Sequence, residues 1–446
     1  MIPSGIKAFC FFLKFNLLRR ETVKYYHKLQ KQQYFSVDEL EHLNWQKRKQ
    51  LLSYAYEKVP YYRRKFKDVG LHPEDIKNPE DYLKVPLLRK EDIRQNFNQI
   101  ISEEAETKAL RLSTTGGSTG EPLKVMFDKR VPLEALGWRL WSWWGIQPYA
   151  NEASVMRRMP TERAHWVNAI RWWPASKIKL DASSIKNQDI EKFLNEFNQM
   201  RPELLSGYAG AIDYVASFIE DNSLIVLHPK AILVTSSPIS DIQRKRIENV
   251  FHAPVYDQYG CGEVFWLAAQ CQQRQALHMF YDARFIEFVD DCGHVQPVDT
   301  MGNVVITDLE NYFFPIIRYM NGDMGRALSG KCPCGINFPL MDKVKGRQTD
   351  LVKLPNGTCL AGDYLTTIFD NFPDAVKGFQ VQQKCDYSIK LLYIPNPAAN
   401  GLSEVLGKVY NELIEKTESQ VSITMEPVES ISHDRGKLRY VVSELI

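Results

Sequence analysis

A run of eight small residues at positions 113–120 limits what this chain can fold into more than any other stretch. Every member is glycine, serine or threonine, and a packed helix or strand would have to freeze out the added backbone freedom. A loop around an oligophosphate needs this composition, because bare backbone N–H groups approach phosphate oxygens and hydroxyl groups add donors. The run consists of Ser113, Thr114, Thr115, Gly116, Gly117, Ser118, Thr119 and Gly120.

The segment after this run also favours a phosphate-binding loop, with a flexible surface linker as the alternative. Lys124 lies there in an apolar, strand-like stretch and supplies a positive charge. The run is not a Walker A motif, because Gly-Lys followed by Ser or Thr is absent.

The composition indicates a globular protein of two or three domains, since 446 residues exceed one ordinary core. A net charge of +2 gives no reason to expect a nucleic-acid partner. No stretch reaches the roughly 18 apolar residues of a transmembrane helix. The eight cysteines are scattered along a large chain, which favours the reducing cytoplasm over a disulfide scaffold. The oligomeric state stays open, and a homodimer is one option.

Residues 1–105 have the pattern of scaffold helices punctuated by prolines. The apolar residues 9–13, flanked by Lys7 and Lys14, predict a packed amphipathic helix. Because Arg19 and Arg20 follow shortly after, a peripheral membrane anchor is the alternative.

Most of the tryptophans lie in residues 138–173, among several arginines. Two interpretations fit such a stretch equally well. It is either part of the buried core or the wall of a pocket, in which indoles stack on a ring and arginines bind an acid. Residues 185–300 then alternate helix and strand patterns, which indicates an α/β sheet with ligands beyond the carboxyl ends of its strands. The candidate substrate-binding residues are Trp138, Arg157, Arg158, Trp172 and Tyr208, the last at a predicted strand end.

Four short motifs further along the chain carry residue types suited to nucleotide chemistry. Tyr259 follows a strand and can stack on a purine, and Glu263, four residues on, can hold Mg²⁺ against phosphate oxygens. Asp323 follows a glycine turn and can accept hydrogen bonds from ribose hydroxyls, although Asn-Gly-Asp is also an ordinary hairpin turn. Arg347 and Lys437 each lie beside a flexible glycine.

The order of these motifs resembles the adenylate-forming superfamily, and most of all its phenylacetate–coenzyme A ligase and capsule-biosynthesis branch. The similarity extends from about Tyr56 to Lys437. Features typical of the branch are residues 56–62, the segments 307–309 and 315–319, and Cys332-Pro333-Cys334-Gly335.

The resemblance implies an α/β fold with two domains. Residues 1–347 would form a large N-terminal domain of mixed sheets flanked by helices, with the helical lead-in 1–105. Residues 348–352 would be a hinge, and residues 353–446 a small, mobile α+β lid domain. The family usually has Asp at the hinge, where this chain has Thr349 followed by Asp350. Thr349 could alter how the hinge pivots, or Asp350 could take over the role.

The resemblance also implies roles for individual residues. The loop 113–120, including Thr119, would hold the ATP phosphates with Lys124, and Glu263 would ligate Mg²⁺. Asp323, helped by Arg347, would bind ribose, and Lys437 would bridge the attacking carboxylate and the α-phosphate. The adenine would lie against Tyr259 and near Asp257, Gln258, Gly260, Ser236, Ser237 and Pro238. The branch often has Gly-Glu-Pro where this chain has Ser236-Ser237-Pro238.

The function implied is an ATP-dependent ligase that forms an acyl-adenylate and passes the acyl group to coenzyme A or an amine. The acid is a small molecule, with a sugar acid or an amino acid in capsular or surface polysaccharide synthesis among the options. The alternative is a nucleotide-binding regulatory or scaffold protein with the same fold and altered chemistry.

Three cysteines and one histidine form a candidate structural zinc site. Three thiols and one imidazole would complete a tetrahedral Zn²⁺ site if the fold brings two distant pairs together. Reduced, buried cysteines without metal are the alternative. The four residues are Cys271, His278, Cys332 and Cys334.

Overall fold

The computed structural model describes most of the chain. The residues outside the description are 1–2, 116–122, 158–160, 237–238, 240, 345–351, 361, 366–367, 370, 373–374, 398, 400, 432–440 and 446. In the described parts, each helix is too short or too polar to span a bilayer.

The N-terminal region up to Ile100 is mostly helical, in agreement with the sequence pattern. A capping box, in which Ser36 and Glu39 bond reciprocally, begins the third helix. Pro60 occupies the first position of the fourth helix, where a missing N–H costs nothing. The helices are α1 (Ser4–Leu18), α2 (Arg20–Gln32), α3 (Val37–Lys58), α4 (Pro60–Asp68) and α5 (Lys90–Ile100).

A large mixed sheet forms the centre of the molecule and contains nine strands in the described residues. Its parallel part has the order β7-β6-β5-β3-β4, with antiparallel strands added beside β7. The strands are β3 (Glu152–Met156), β4 (Lys177–Asp181), β5 (Leu204–Tyr208), β6 (Ala231–Thr235), β7 (Val255–Tyr259), β8 (Ala268–Gln270), β9 (Leu277–Met279), β13 (Ala327–Leu328) and β14 (Leu340–Met341).

Helices cover both faces of this sheet, as the alternating pattern predicts. The inward side chains of α8, α9 and α10 share one buried cluster with alternate sheet residues such as Val155 and Val234. On the other face, α1, α2 and α6 share a second cluster with Leu204 and Leu233. The bounds are α6 (Glu134–Ser142), α7 (Glu162–Trp172), α8 (Asn187–Met200), α9 (Ala209–Asp221) and α10 (Asp241–Phe251).

Two smaller antiparallel sheets pack against α3, α4 and α5 in a third buried cluster. One pairs β1 (Leu110–Thr115) with β2 (Leu123–Asp128), so that the glycine-rich run connects two paired strand ends. The other has the order β10-β11-β12, formed by β10 (Arg284–Val289), β11 (Gly302–Asp308) and β12 (Tyr319–Gly325).

The branch-like segments around Asp308 and Arg318 have a structural role in this region. Arg284 and Asp308 form a buried ion pair at 2.7 Å, and Arg318 and Glu287 form another at 3.0 Å. Such pairs are costly to break, because the remaining charge stays buried. Arg318 also donates to the carbonyl oxygens of Leu83 and Val85, which ties the N-terminal helical region to the β10–β12 sheet.

The C-terminal part is α+β. The strands β17, β18, β19 and β20 form a mixed sheet of order β19-β18-β17-β20 with α12 packed on it. The C-terminal part contacts a helix that covers the large sheet, since the Tyr214 hydroxyl of α9 donates to the carbonyl of Gly357 between β15 and β16. The elements are β15 (Val352–Lys353), β16 (Cys359–Leu360), α11 (Gly362–Leu365), β17 (Val376–Gln383), β18 (Ile389–Pro395), α12 (Leu402–Lys416), β19 (Ile423–Pro427) and β20 (Val441–Ser443). The expected α/β class is confirmed, and the residue limits of the domains stay a prediction.

Candidate active site

Candidate residues collect at the carboxyl ends of four neighbouring parallel strands. Arg157 follows β3, Tyr208 ends β5, Ser236 follows β6 and Tyr259 ends β7. The register pairs Tyr208 with Thr235 across β5 and β6. Open parallel sheets bind ligands at this edge, so the strand order brings residues about 100 positions apart in sequence to one place.

Gly207 allows β5 and β3 to approach closely at this edge. A Cβ at position 207 would lie 2.4 Å from the carbonyl oxygen of Val155, a contact that real Cβ atoms do not make. The glycine is therefore required by the backbone of the neighbouring strand.

Tyr259 and Asp323 are in direct contact, although they belong to different sheets. The Tyr259 hydroxyl donates to Oδ2 of Asp323 at 2.9 Å. The Asn321 side-chain amide donates to both groups, at 2.7 Å to Tyr259 and 2.8 Å to Asp323. Burial and the Asp323 charge hold the pKa of Tyr259 well above its ordinary value, so the phenol stays a donor. The half-buried Asp323 carboxylate is thus held in one orientation, as an acceptor for ligand hydroxyls should be.

Glu263 is buried in the loop after β7, where a carboxylate needs partners. The hydroxyl of Tyr319, the first residue of β12, donates to its Oε1 at 2.8 Å. Burial, followed by the Glu263 charge, raises the pKa of the neighbouring Cys261 thiol, so that the thiol stays protonated. A carboxylate oriented in this way suits a hard divalent cation such as Mg²⁺.

The β1–β2 hairpin packs against the Glu263 loop. Phe127 of β2 stacks on Phe265 with ring centroids 4.9 Å apart. Leu123 and Val125 lie in the same buried cluster as Val264. The register pairs Thr114 with Lys124, one pair before the last pair of the hairpin, which is Thr115 with Leu123. The first three residues of the glycine-rich run therefore lie on a strand of a hairpin that contacts the carboxylate loop.

The residues around the end of β7 differ in their environment. Gln258 accepts a hydrogen bond from the Thr235 hydroxyl at 2.9 Å, which links β7 to β6. Burial raises the pKa of Asp257, and the charges of Arg244 and Lys343 partly offset this effect. Asp257 also donates its backbone N–H to the side chain of Gln270.

The predicted substrate-binding residues do not form one wall. Trp138 is 1% exposed and enclosed by Phe11, Phe15 and Tyr26, which corrects its assignment to an open pocket wall. The reason is that α1 and α2 cover this face of the sheet. Trp172 is partly exposed and lines a cleft of about 1190 Å³, in which the Lys177 ammonium lies 4.0 Å from its ring.

Several predicted site residues lie outside the described residues, namely Gly116, Gly117, Ser118, Thr119, Gly120, Arg158, Ser237, Pro238, Arg347 and Lys437. The side chain of Thr115 is also outside the description, whereas its backbone ends β1. Ser236 is exposed and has a positive φ of 76°.

Asn321 and Tyr319 are functional candidates that the sequence analysis missed. Their signal was available, because Tyr319, Asn321 and Asp323 recur at every second position, the spacing of one strand face. The register explains why the signal was incomplete. Residues 321–323 stand where β11 has the single residue Val304, so β12 bulges at this point.

The structure brings together the four residues of the candidate zinc site. Their ligand atoms all lie within 4.8 Å of one another, and Sγ of Cys271 is 3.5 Å from Sγ of Cys332. Sγ of Cys334 is 3.4 Å from Nε2 of His278. Burial raises the pKa of Cys271 to about 12 and lowers that of His278 to about 4. The β8–β9 hairpin supplies one pair and the segment between β13 and β14 the other.

Solved structures share this arrangement of sheets. A 2-hydroxyisobutyryl-CoA ligase in complex with 2-HIB-AMP and CoA superposes with a TM-score of 0.64 and 18% sequence identity, covering 93% of this chain and 91% of that chain. The chain therefore has the fold of the adenylate-forming ligases.

Relatives in sequence agree with this class. A phenylacetate-coenzyme A ligase of Thermus thermophilus is 22% identical over 363 residues, which covers 77% of this chain and 78% of the relative. Protein CapK of Staphylococcus aureus is 23% identical over 453 residues, covering 97% and 95%. No protein-family model matches the chain. The homologues of this chain are thus phenylacetate-CoA ligases and CapK.

Proposed function

We propose that this protein is an ATP-dependent carboxylate ligase that forms an acyl-adenylate and transfers the acyl group to coenzyme A or an amine. The observation that carries the proposal is the Tyr259–Asn321–Asp323 network beside the Tyr319–Glu263 pair. Together with the β1–β2 hairpin, these residues provide a purine-stacking ring, a ribose acceptor and a carboxylate for Mg²⁺ in one region. The names of the relatives, several of them CoA ligases, support the same reaction class.

The first step joins two anions, so the site must lower their repulsion. An oxygen of the acid attacks the α-phosphorus of ATP, the bond to the β-phosphate oxygen breaks, and pyrophosphate leaves. Mg²⁺ held by Glu263 would neutralise phosphate charge. Backbone N–H groups of residues 113–120 and the ammonium groups of Lys124 and Lys437 would bind the charge that develops.

The second step consumes the acyl-adenylate. A thiol or amine attacks the acyl carbonyl carbon, AMP leaves, and the nucleophile loses its proton. We infer that the part from residue 353 onward moves between the two steps, which would withdraw Lys437. We further propose that the acceptor is coenzyme A or an amine. We also propose that the substrate is a sugar acid or an amino acid used in polysaccharide synthesis, and the resemblance to CapK supports this second proposal.

The two half-reactions test the proposal separately. Purified protein should catalyse ATP–pyrophosphate exchange with at least one acid from a panel of aryl, hydroxy, sugar and amino acids. Lys437→Ala should lower this exchange about 10²- to 10³-fold while synthetic acyl-adenylate is still consumed at the wild-type rate. The matched control is Lys331→Ala, an exposed lysine elsewhere.

The regulatory or scaffold alternative makes a different prediction. A pure binder would take up ATP, measurable by calorimetry, but show no exchange with any acid, and Lys437→Ala would change nothing. That outcome would refute the ligase assignment and leave the fold assignment intact.

We also propose that Cys271, His278, Cys332 and Cys334 bind one structural Zn²⁺. Tetrahedral zinc with bonds of about 2.0–2.3 Å places its ligand atoms about 3.5–3.8 Å apart, close to the two separations of 3.5 and 3.4 Å. The four protein ligands would occupy all four coordination positions of the zinc ion. The site would therefore be structural and take no part in catalysis. The pair of distant segments would then be joined by the metal.

Elemental analysis of the purified protein tests this second proposal directly. We expect about one zinc per chain. The double variant Cys332→Ser/Cys334→Ser should retain less than a tenth of it, while Cys385→Ser, at an exposed position, should retain all of it. Trace zinc in the wild-type protein after purification without chelator would overturn the proposal.

A further inference from the structure

The N-terminal helix α1 is apolar on two opposite faces. One face packs into the protein through Phe11 and Phe15, which are fully buried. The other face consists of Ile6, Phe9, Leu13 and Leu17, spaced so that they lie within one side of a 3.6-residue helix. Phe9 is 67% and Leu17 76% exposed. A helix with this second face exposed in solution is unusual, because large contiguous apolar patches mark contact sites.

The helix α7 lies next to α1 and also exposes large apolar side chains to solvent. Trp166, Val167 and Ile170 are exposed on one side, with Trp166 at 71% and Ile170 at 72%. Trp173 directly follows this helix and is half exposed.

Lys14 connects the two helices that carry these exposed apolar residues. Its ammonium group donates to the carbonyl oxygens of Ile170, Arg171 and Trp173 and so caps the C-terminal end of α7. It also lies 5.9 Å from the ring of Trp173. We call the combined face the α1–α7 surface. It comprises Ile6, Phe9, Leu13, Leu17, Trp166, Val167, Ile170 and Trp173.

The charges around the α1–α7 surface are mostly positive. The helix α1 contains two lysines and no acidic residue, and α7 contains two arginines and only Glu162 as an acid. Glu134 of α6 neutralises one of these arginines, Arg171, at 3.5 Å. Arg20 and Arg163 are exposed beside the apolar face. The whole chain has a net charge of only +2, so this basic character is local.

We propose that the α1–α7 surface binds the headgroup region of an anionic lipid bilayer. Phenylalanine, leucine and tryptophan on one side with lysine and arginine at the edge is the pattern of an interfacial membrane-binding helix. A second copy of the chain fits less well, because a two-fold contact would place the same basic edges against each other. Since α7 also lines the cleft that contains Trp172, docking would bring this cleft near the lipid surface.

Vesicle sedimentation of the full-length protein tests the proposal. We expect binding to vesicles with about a third phosphatidylglycerol in phosphatidylcholine, and at least tenfold weaker binding to pure phosphatidylcholine vesicles or at high salt. Phe9→Ser/Leu13→Ser/Leu17→Ser should weaken binding at least tenfold. Arg20→Glu/Arg163→Glu should weaken binding to anionic vesicles but leave the weak binding to pure phosphatidylcholine vesicles unchanged. The control Ile225→Ser removes an apolar side chain that is 89% exposed elsewhere and should bind as wild type.

Circular dichroism and ATP–pyrophosphate exchange establish that each variant is folded. Equal pelleting of all variants, or no pelleting of the wild type, would overturn the proposal. A third result would also overturn the proposal. In this case sedimentation velocity without lipid would show a wild-type dimer and a monomeric triple serine variant, and the variant would still bind vesicles.

Discussion

The hydroxyl of Tyr259 lies 2.9 Å from Oδ2 of Asp323, across 64 residues of sequence and between two different sheets. Asn321 donates to both groups and so fixes their relative position. This contact unites two motifs that are each too short to identify a site alone. It also makes the proposed ribose acceptor, Asp323, and the proposed stacking ring, Tyr259, depend on each other.

Asp323→Asn should weaken ATP binding more than it slows the chemistry. The amide keeps the shape but removes the charge that strengthens hydrogen bonds to ribose hydroxyls, a loss of about 1.5–3 kcal/mol. We expect the KM for ATP to rise about 10- to 100-fold, with a smaller change in kcat, in exchange assays. The control Asp68→Asn alters an exposed carboxylate on α4. An unchanged KM would separate Asp323 from the nucleotide.

Tyr319→Phe should act through Glu263. Without the phenol, the buried carboxylate loses the donor that orients it, and we expect the Mg²⁺ concentration for half-maximal activity to rise about threefold to tenfold. Tyr82→Phe is the matched control, because its hydroxyl pairs with Thr307 instead, at 2.7 Å. That variant should lower the free energy of unfolding by about 1–3 kcal/mol and leave the Mg²⁺ dependence unchanged. The same Mg²⁺ response in both variants would argue against a positioning role for Tyr319.

Removal of zinc should destabilise the protein. A strong chelator should lower the melting temperature by several degrees, because the metal stabilises only the folded chain. Scanning calorimetry before and after chelation, followed by zinc readdition, measures the effect. Cys332→Ser/Cys334→Ser should melt at the temperature of the chelated protein and not respond further. A chelator effect of equal size in that variant would show that another metal is responsible.

Two glycine substitutions should shift stability in opposite directions. Gly207→Ala forces a Cβ to within 2.4 Å of the Val155 carbonyl oxygen and should cost about 1–3 kcal/mol. Gly407→Ala places its Cβ in open space within α12 and should add about 0.5–1 kcal/mol. Urea unfolding compares the two variants with the wild type. An unchanged free energy of unfolding for Gly207→Ala would mean that the close approach of β5 and β3 relaxes at little cost.

The fold class was accessible from sequence because it depends on the order of the elements. Strand–helix alternation in residues 185–300 places the ends of β5, β6 and β7 at one edge, whatever the details of packing. The grouping of three cysteines with His278 was likewise predictable from sequence, because thiols and an imidazole are the usual ligands of a structural zinc site.

Other features depend on tertiary contacts that no local pattern encodes. The residue types that surround Trp138 in the sequence are equally typical of a pocket wall. Only the position of α1 and α2 makes Trp138 part of the core. Asn321 resembles a turn residue, and its role follows from the bulge opposite Val304. The exposed face of α1 was similarly hidden, since an apolar helix with two faces looks like a buried one.

The bulge in β12 has a consequence for how recognition by this fold can change. Gly322 adopts a φ of 91° within it, a conformation that glycine adopts without strain. The strand is the outermost of its sheet, so the pairing of β10 with β11 continues undisturbed beside it. An exchange of the side chains at 321 and 323 would therefore leave the β10–β11 pairing intact if the glycine between them is kept, but the new side chains would also have to provide partners for the Tyr259 hydroxyl.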